Sequence, residues 1–252
     1  MNTRDSIEKT KKGFENSFAE KNYYDMQTQD EEHLHRIIRS LDIKKNSKIL
    51  DLGTGSGYLA FAIAGMYPEC RIMGLDIVTG TLENNSIQAK KHNTSNIAFT
   101  SYDGVIFPFE DNTFDIIVTR YALHHFSEIT KSFEEISRVL QPGGQLFISD
   151  PTPNDEDEER FVDTYMKMKD DGHIKYYTKE EFDVLASKVG LETGSCFDSR
   201  IRFPRKYIEE HLCVIQGFPE QILQSYDIQI VGGEVYISEN VLNVSYRKNP
   251  NR

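Results

Sequence analysis

Short apolar runs alternate with amphipathic segments along much of the chain. The apolar runs, rich in Ile, Leu, Val and Phe, predict buried strands, and apolar residues recur at helical spacing between them. The strands are predicted at 48–52, 71–77, 97–102, 114–119 and 145–149. The helices are predicted at 30–41, 58–66, 80–93 and 129–140. Strands that alternate with helices of this length predict an α/β fold with a doubly wound, mostly parallel sheet.

The remaining segments are less regular. Two further helices are predicted at 156–169 and 179–189, the second because Thr178 and Glu181 form a capping box at its start. Residues 1–30 are polar and are expected to begin as a loosely packed helix.

Two more strands, 191–200 and 241–247, raise the predicted sheet to seven strands, the last closing the sheet edge. An insertion at 203–233 precedes the last strand and has no predicted structure. We therefore expect three parts, an N-terminal helical cap at 1–45, a core at 46–200, and the insertion and closing strand of the same domain at 201–252.

Composition narrows the class of protein. The 252 residues carry a formal net charge of −11, which argues against a nucleic-acid partner. No run of about 18 apolar residues predicts a membrane span, and the N-terminus lacks the apolar stretch of a secretory signal. The three cysteines are scattered without a CxxC pair, so a cytoplasmic location is expected. No metal-ligand spacing is visible, and no metal is expected.

The stretch ILDLGTGSGYLA, residues 49–60, is the first candidate for chemistry. Glycines after a buried strand let a ligand approach the backbone closely. Gly55, Gly57 and Ala60 match the dinucleotide fingerprint GxGxxA, so a nicotinamide cofactor is one interpretation. Asp51 opposes it, because a carboxylate there would repel a pyrophosphate and would suit an ammonium or sulfonium group.

Two further acids follow the next strands. Asp76 ends the second strand, where a carboxylate can accept hydrogen bonds from both ribose hydroxyls or cap the next helix. Asp103 follows the third strand and could bind an adenine amino group, although an Asp before Gly104 is also typical of a turn. The series predicts a ligand lying across the carboxyl ends of strands one to three.

These blocks occur in order with FPFEDNTFDIIVTRYALHHF and EEISRVLQPGGQLFISD. Over about residues 30–200 the chain resembles the class I S-adenosylmethionine-dependent methyltransferases. It is most similar to their ubiquinone/menaquinone-biosynthesis branch (methyltransferase type 11). The resemblance implies a Rossmann-like methyltransferase fold and S-adenosyl-L-methionine as the co-substrate.

The resemblance also implies roles for individual residues. The glycine loop would hold the methionine and sulfonium side of the cofactor, with Asp76 on the ribose. Adenine would lie against the residues after the second and third strands, and the segment after the fourth would line the methyl end. The implied cofactor residues are Asp51, Gly53, Thr54, Gly55, Gly57, Asp76, Ile77, Asp103, Gly104, Thr119 and Arg120, with Tyr121 beside the acceptor.

Catalytic and substrate candidates lie farther along. His124 and His125 follow the fourth strand, where either could act as a base or anchor the substrate, or could pack in the loop and bond the backbone. His173 is a third candidate, as a lid residue. Asp150, at the end of the fifth strand, could meet the substrate, and Tyr24, with Tyr23 beside it, could close over the site.

The predicted function is methyl transfer by in-line displacement to a small-molecule acceptor. The protein would mainly hold the nucleophile and the methyl group collinear, and it needs a base only if the nucleophile must lose a proton. The attacked atom, carbon, oxygen, nitrogen or sulfur, is left open. The alternatives are a nicotinamide-dependent oxidoreductase and a non-catalytic binding protein with a methyltransferase-like fold. A homodimer is possible.

Overall fold

The predicted parallel strands form the centre of one sheet in the computed structural model, which describes residues 2–19, 29–169 and 171–250. Their order is β3-β2-β1-β4-β5, and every neighbouring pair among them is parallel. The five strands are β1 (Lys48–Leu52), β2 (Arg71–Asp76), β3 (Ile97–Ser101), β4 (Phe114–Arg120) and β5 (Leu140–Thr152). The doubly wound α/β fold is confirmed.

Helices cover both faces of this sheet. They are α2 (Glu31–Ser40), α3 (Tyr58–Met66), α4 (Thr79–Lys91) and α5 (Ile129–Val139), with a 3-10 turn at Leu123–His125. A further helix, α1 (Thr3–Ala19), lies over the carboxyl ends of the strands. Alternate residues of β1 face opposite cores, because Ile49 packs with Ile37 of α2, whereas Leu50 packs with Phe133 of α5. Burial on both faces explains why β1, after the exposed Lys48, is apolar except at Asp51.

The C-terminal part adds antiparallel strands. After α7 (Lys179–Lys188), β6 (Leu191–Lys206) and β8 (Glu234–Lys248) continue the sheet, with β8 between β5 and β6. The expectation that the last strand closes the sheet edge is therefore wrong, because β6 takes the outer position. The predicted seven-stranded path is otherwise present, and a short eighth strand, β7 (Gln229–Val231), pairs with β8.

The insertion forms a small helical layer. It contains α8 (Glu209–Gln216) and α9 (Glu220–Ser225), and it packs on α6 (Phe161–Met166) in a separate apolar cluster. Phe161, Tyr165, Ile222 and Tyr226 are all buried there. The cluster lies next to the end of β5 and so places the insertion near the ends of the central strands.

The helix predicted at 156–169 is wrong in its extent. Only Phe161–Met166 is α-helical, because the Asp157 carboxylate accepts hydrogen bonds from the backbone N–H groups of Phe161 (2.7 Å) and Val162 (3.0 Å) and so starts the helix late. Arg160, just before the helix, has a φ of 62° and lies outside the helical conformation.

A single arginine joins the two most distinctive sequence blocks. The Arg138 guanidinium, from RVL, donates to the carbonyl oxygens of Phe109 (2.7 Å) and Phe107 (3.0 Å), both in FPFED. It also pairs with Asp111 and Glu135 at 2.9 and 2.7 Å, and Glu135 in turn accepts the Phe107 N–H at 2.7 Å. The Arg138 side chain of the RVL block thus holds the loop that the FPFED block forms.

Within the described segments, no helix has both the length and the apolar character needed to cross a membrane.

Candidate active site

A cavity opens at the carboxyl ends of β1, β2 and β4, beneath α1. The cavity is partly open to solvent, and its empty space, counted together with the solvent at its mouth, is about 1050 Å³. Ten of the predicted site residues line it: Asp51, Gly53, Thr54, Gly55, Asp76, Ile77, Gly104, Arg120, Tyr121 and His125. The cavity therefore lies where doubly wound sheets bind their ligands.

The glycine loop is held tightly against the second strand. The N–H groups of Gly53 and Thr54 donate to the Leu75 carbonyl at 2.8 and 3.1 Å. Gly53 has a φ of 72°, and a Cβ there would lie 2.4 Å from the Ala122 Cβ. A larger residue could not occupy this position, so the loop packs directly on the segment that follows β4.

Asp51 is a buried carboxylate in the cavity wall, with only 2% of the residue exposed. It accepts a hydrogen bond from the Thr54 hydroxyl at 2.7 Å. Burial raises the pKa of Asp51 to about 7, an effect that this hydrogen bond partly opposes. A nearby cation would recover the desolvation cost of the ionised form.

Asp76 links the glycine loop to β2. Its carboxylate accepts the N–H groups of Gly55 at 2.9 Å and of Val78 at 3.0 Å, and burial raises its pKa. Each oxygen keeps a further lone pair for a ligand hydroxyl. Asp76 does not cap α4 itself, because the N–H group that it accepts belongs to Val78, the residue just before the helix.

Three predicted cofactor residues do not line the cavity. Gly57 has a φ of 80° and precedes α3, where a Cβ would meet the Phe61 ring at 2.9 Å. Thr119 is buried in β4. Asp103 is exposed, and its Oδ1 accepts the N–H groups of Val105 (2.9 Å) and Ile106 (2.8 Å) as in a turn. A contact of Asp103 with adenine stays a prediction.

Aromatic and basic side chains form the far end of the cavity. The Arg120 guanidinium lies 4.0 Å from the ring centre of Tyr121 and 5.4 Å from that of Tyr58. The Tyr121 hydroxyl lies 3.3 Å from Nδ1 of His33, and burial raises the Tyr121 pKa well above its usual range. Tyr24 lies outside the described residues.

His125 is the histidine that faces the cavity. It is 7% exposed, and neither of its ring nitrogens has a hydrogen-bond partner among the residues described. Its ring meets Phe14 of α1 edge-on at 4.9 Å. Burial holds the His125 pKa well below its usual range, so the imidazole is neutral and presents one ring nitrogen as a hydrogen-bond acceptor.

The other candidates lie behind His125. Asp150 accepts the His124 N–H at 3.1 Å and lies 2.9 Å from His124 Nδ1, so its carboxylate is already occupied. The prediction that Asp150 contacts the substrate does not fit the structure, because the residue is 1% exposed and lies outside the cavity wall. His173 is also buried, with Nε2 2.9 Å from Asp163, and it is not a lid residue.

Sequence reasoning missed most of the cavity roof. It is formed by one face of α1, with Ile7, Thr10, Phe14 and Phe18 in the wall. The sequence contained a signal for this helix face, since the four residues recur every three or four positions. The prediction that Tyr24 closes over the site falls outside the described residues, and Phe14 and Phe18 are N-terminal aromatic residues in the cavity wall that the sequence analysis did not name.

No group of three or more His, Cys, Asp or Glu in the described segments could hold a metal ion.

Comparison with known sequences identifies the family of this chain. The sequence model of one family, described as a methyltransferase domain, matches residues 43–189, which include the glycine loop and every central strand. The chain belongs to this methyltransferase domain family. The resemblance to class I S-adenosylmethionine-dependent methyltransferases is therefore confirmed.

Two relatives illustrate the range of this methyltransferase family. YcgJ of Bacillus subtilis, named an uncharacterized methyltransferase, is 31% identical over 157 residues, covering 62% of this chain and 61% of YcgJ. The demethylmenaquinone methyltransferase of Staphylococcus carnosus is 32% identical over 121 residues, covering 46% of this chain and 49% of that enzyme. The chain thus spans less than two thirds of the length of either relative.

The fold of the methyltransferase family is also matched by solved structures. The crystal structure of YcgJ superposes with a TM-score of 0.75 at 22% identity, covering 87% of this chain and 99% of that one. At this identity the match supports the fold alone.

Proposed function

We propose that the protein is an S-adenosylmethionine-dependent methyltransferase that acts on a small-molecule acceptor. One observation carries the proposal, namely that two carboxylates, the buried Asp51 and the half-buried Asp76, share a cavity with the glycine loop. In the described residues no Lys or Arg forms an ion pair with either. Such a site favours a cation with a ribose and disfavours a pyrophosphate.

Each part of the cofactor has a proposed partner. Asp76 would accept both ribose hydroxyls, and Asp51 would face the sulfonium and ammonium side. Ile77, Tyr102 and Gly104, which line the same wall, would enclose the adenine. Arg120 and Tyr121 would lie at the methyl end, and the remaining volume would receive the acceptor.

His125 is proposed as the base for an acceptor that must lose a proton. Its neutral ring faces the cavity, and both nitrogens lack a partner in the described structure. His124 and Asp150 would act as positioning residues, since their bond fixes the 3-10 turn that carries His125. An acceptor that is already a nucleophile would need no base.

The roles of the three parts of the chain, its location and its oligomeric state stay predictions. We propose that the N-terminal cap, 1–45, closes the cavity through α1, that 46–200 forms the cofactor-binding core, and that 201–252 contributes to the acceptor side. A cytoplasmic location is expected from the scattered cysteines, and a homodimer stays a prediction tied to the insertion at 203–233; neither is needed for the chemistry.

Calorimetry with S-adenosylhomocysteine and S-adenosylmethionine tests the function. We expect binding of both, weakened about a hundredfold (~3 kcal/mol) in Asp76→Asn, because charged hydrogen bonds to the ribose are lost. Asp155→Asn, an exposed acid outside the cavity, is the matched control and should bind normally. The proposal fails if the unmodified protein binds neither compound.

A further inference from the structure

The wall of the cofactor cavity contains one permanently positive side chain. Among the described residues that line the cavity, Arg120 alone is a Lys or an Arg. The residue is half-buried, and a guanidinium stays protonated over the whole physiological pH range. Its planar pair of N–H donors matches the two oxygens of a carboxylate. A fixed cation in this position therefore favours an anionic group on the ligand.

The Arg120 guanidinium lies on the side of the glycine loop. Arg120 is the last residue of β4, and its side chain extends between two aromatic rings. The guanidinium carbon lies 4.0 Å from the ring centre of Tyr121 and 5.4 Å from that of Tyr58. Tyr58 begins α3 directly after Gly57, the last glycine of the loop. The two rings hold the positive charge where the loop ends.

Tyr121 has an unusual backbone conformation. Its φ is 57°, in the left-handed region that large side chains rarely adopt. Such a conformation persists only where surrounding contacts maintain it, and it occurs preferentially at binding sites. The residue is 8% exposed and belongs to the cavity wall. The strain indicates that the position of the Tyr121 ring matters for a ligand.

His33 of α2 fixes the hydroxyl end of that ring. The Asn243 amide donates to the Ser199 hydroxyl at 2.9 Å and to the Val241 carbonyl at 3.1 Å, so its Oδ1 faces His33 as an acceptor. Nε2 of His33, 2.9 Å from this oxygen, therefore carries the ring proton. Nδ1 is then free of a proton and accepts from the Tyr121 hydroxyl at 3.3 Å.

His33 can affect the cavity only through Tyr121. It is 5% exposed and does not belong to the cavity wall. Its bond to Asn243 anchors the Tyr121 ring to β8, and the ring in turn supports the Arg120 guanidinium. These contacts restrict the guanidinium before a ligand arrives, which lowers the entropy lost when it binds an anion.

The cofactor of the proposed function has one anionic group, the carboxylate of its amino-acid end. The same carbon carries the ammonium, for which Asp51 is the proposed partner. Asp51 and Arg120 line one cavity beside the glycine loop, so one carbon can present its two charges to both. We propose that Arg120 binds the carboxylate of the cofactor and that His33 positions Arg120 through Tyr121. This inference rests on the proposed function.

Calorimetry with two related ligands tests the role of Arg120. Decarboxylated S-adenosylhomocysteine keeps the adenosine, the thioether and the ammonium of S-adenosylhomocysteine and lacks only the carboxylate. The unmodified protein should bind it about tenfold to a hundredfold more weakly than S-adenosylhomocysteine. In Arg120→Met the two ligands should bind almost equally. Arg71→Met, exposed at the amino end of β2 and outside the cavity, should keep the full difference.

The same pair of ligands tests His33 as a positioning residue. His33→Phe keeps a ring but neither hydrogen bond, so it should reduce the affinity ratio of the two ligands about fivefold. His33→Gln can accept from Tyr121 and donate to Asn243, and it should restore most of the ratio. A merely structural role would change both affinities alike. His35→Phe, exposed on the same helix, is the matched control and should leave the ratio unchanged.

The outcomes separate this inference from the proposed function. If the unmodified protein binds neither ligand, the proposed function fails and this inference fails with it. If S-adenosylhomocysteine binds but Arg120→Met keeps the full difference, as it would if Arg120 served an anionic acceptor, the carboxylate assignment is overturned and the methyltransferase proposal stands. Partial unfolding of a variant lowers both apparent affinities by the same factor, so the ratio stays informative. Should Arg120→Met not fold, Arg120→Gln removes the same charge and is judged by the same ratio.

Discussion

Asp51 shows how one residue can prepare a cavity for a charged ligand. The side chain follows the two apolar residues Ile49 and Leu50 of β1 and lies under the glycine loop, almost without exposure. With a pKa near 7 it is partly protonated at neutral pH in the free protein. A cation that binds next to it favours the ionised form and thereby releases a proton.

The affinity for S-adenosylmethionine should therefore rise as the pH increases through 7. Below the pKa of Asp51 the gain is up to about tenfold per pH unit, and it levels off above the pKa, where the carboxylate is already ionised. Calorimetry at pH 6 in two buffers of different ionisation enthalpy should detect the released proton. In Asp51→Asn the rise centred near pH 7 should disappear, whereas an unchanged profile would exclude Asp51 from the cofactor site.

The position of α1 depends on close contact with one glycine. Gly172 has a φ of +77°, and a Cβ there would lie 2.1 Å from the Thr10 hydroxyl and 2.7 Å from the Thr10 Cα. The second contact is with backbone, so a rotamer change cannot relieve it. The helix can form the cavity roof only because this position carries no side chain.

Gly172→Ala should displace α1 from the cavity. Gly143 has the same φ, +77°, but open space around its Cβ position, so Gly143→Ala pays the same backbone cost of about 1 kcal/mol without touching α1. We expect trypsin to cleave at Lys11 and Lys12 faster in Gly172→Ala, and S-adenosylhomocysteine to dissociate faster. Equal cleavage rates in the two variants would show that α1 does not depend on this contact.

At the scale of the whole molecule, the cavity joins parts that are distant along the chain. Its wall combines α1 with the ends of β1, β2 and β4. A ligand that bridges these parts binds only the folded chain and stabilises all of them together.

Saturation with S-adenosylhomocysteine should therefore raise the melting temperature. At about a hundred times Kd the gain is ~2.7 kcal/mol, which for a chain of this size corresponds to a shift of about 5–10 °C. NAD should shift it by less than about 1 °C, because the carboxylates of Asp51 and Asp76 in the cavity wall oppose its pyrophosphate. Differential scanning fluorimetry makes the comparison, and a larger shift with NAD would favour the oxidoreductase alternative.

The sequence by itself determined the order of the elements and the edge at which the ligand binds. β1 and α3 have their predicted bounds, and the capping box at Thr178 is present, because these features depend on neighbouring residues. Asp51 and Asp76 lie in one cavity since parallel strands end at a common edge.

Only the tertiary structure decided which side chains face that cavity. Asp150 lies near the carboxyl end of β5 as Asp76 lies at that of β2, yet it bonds His124. The approach of α1 to Gly172 joins segments far apart in the chain. Such contacts follow from how helices and insertions pack over the sheet, and the spacing of residues along the chain does not encode that packing.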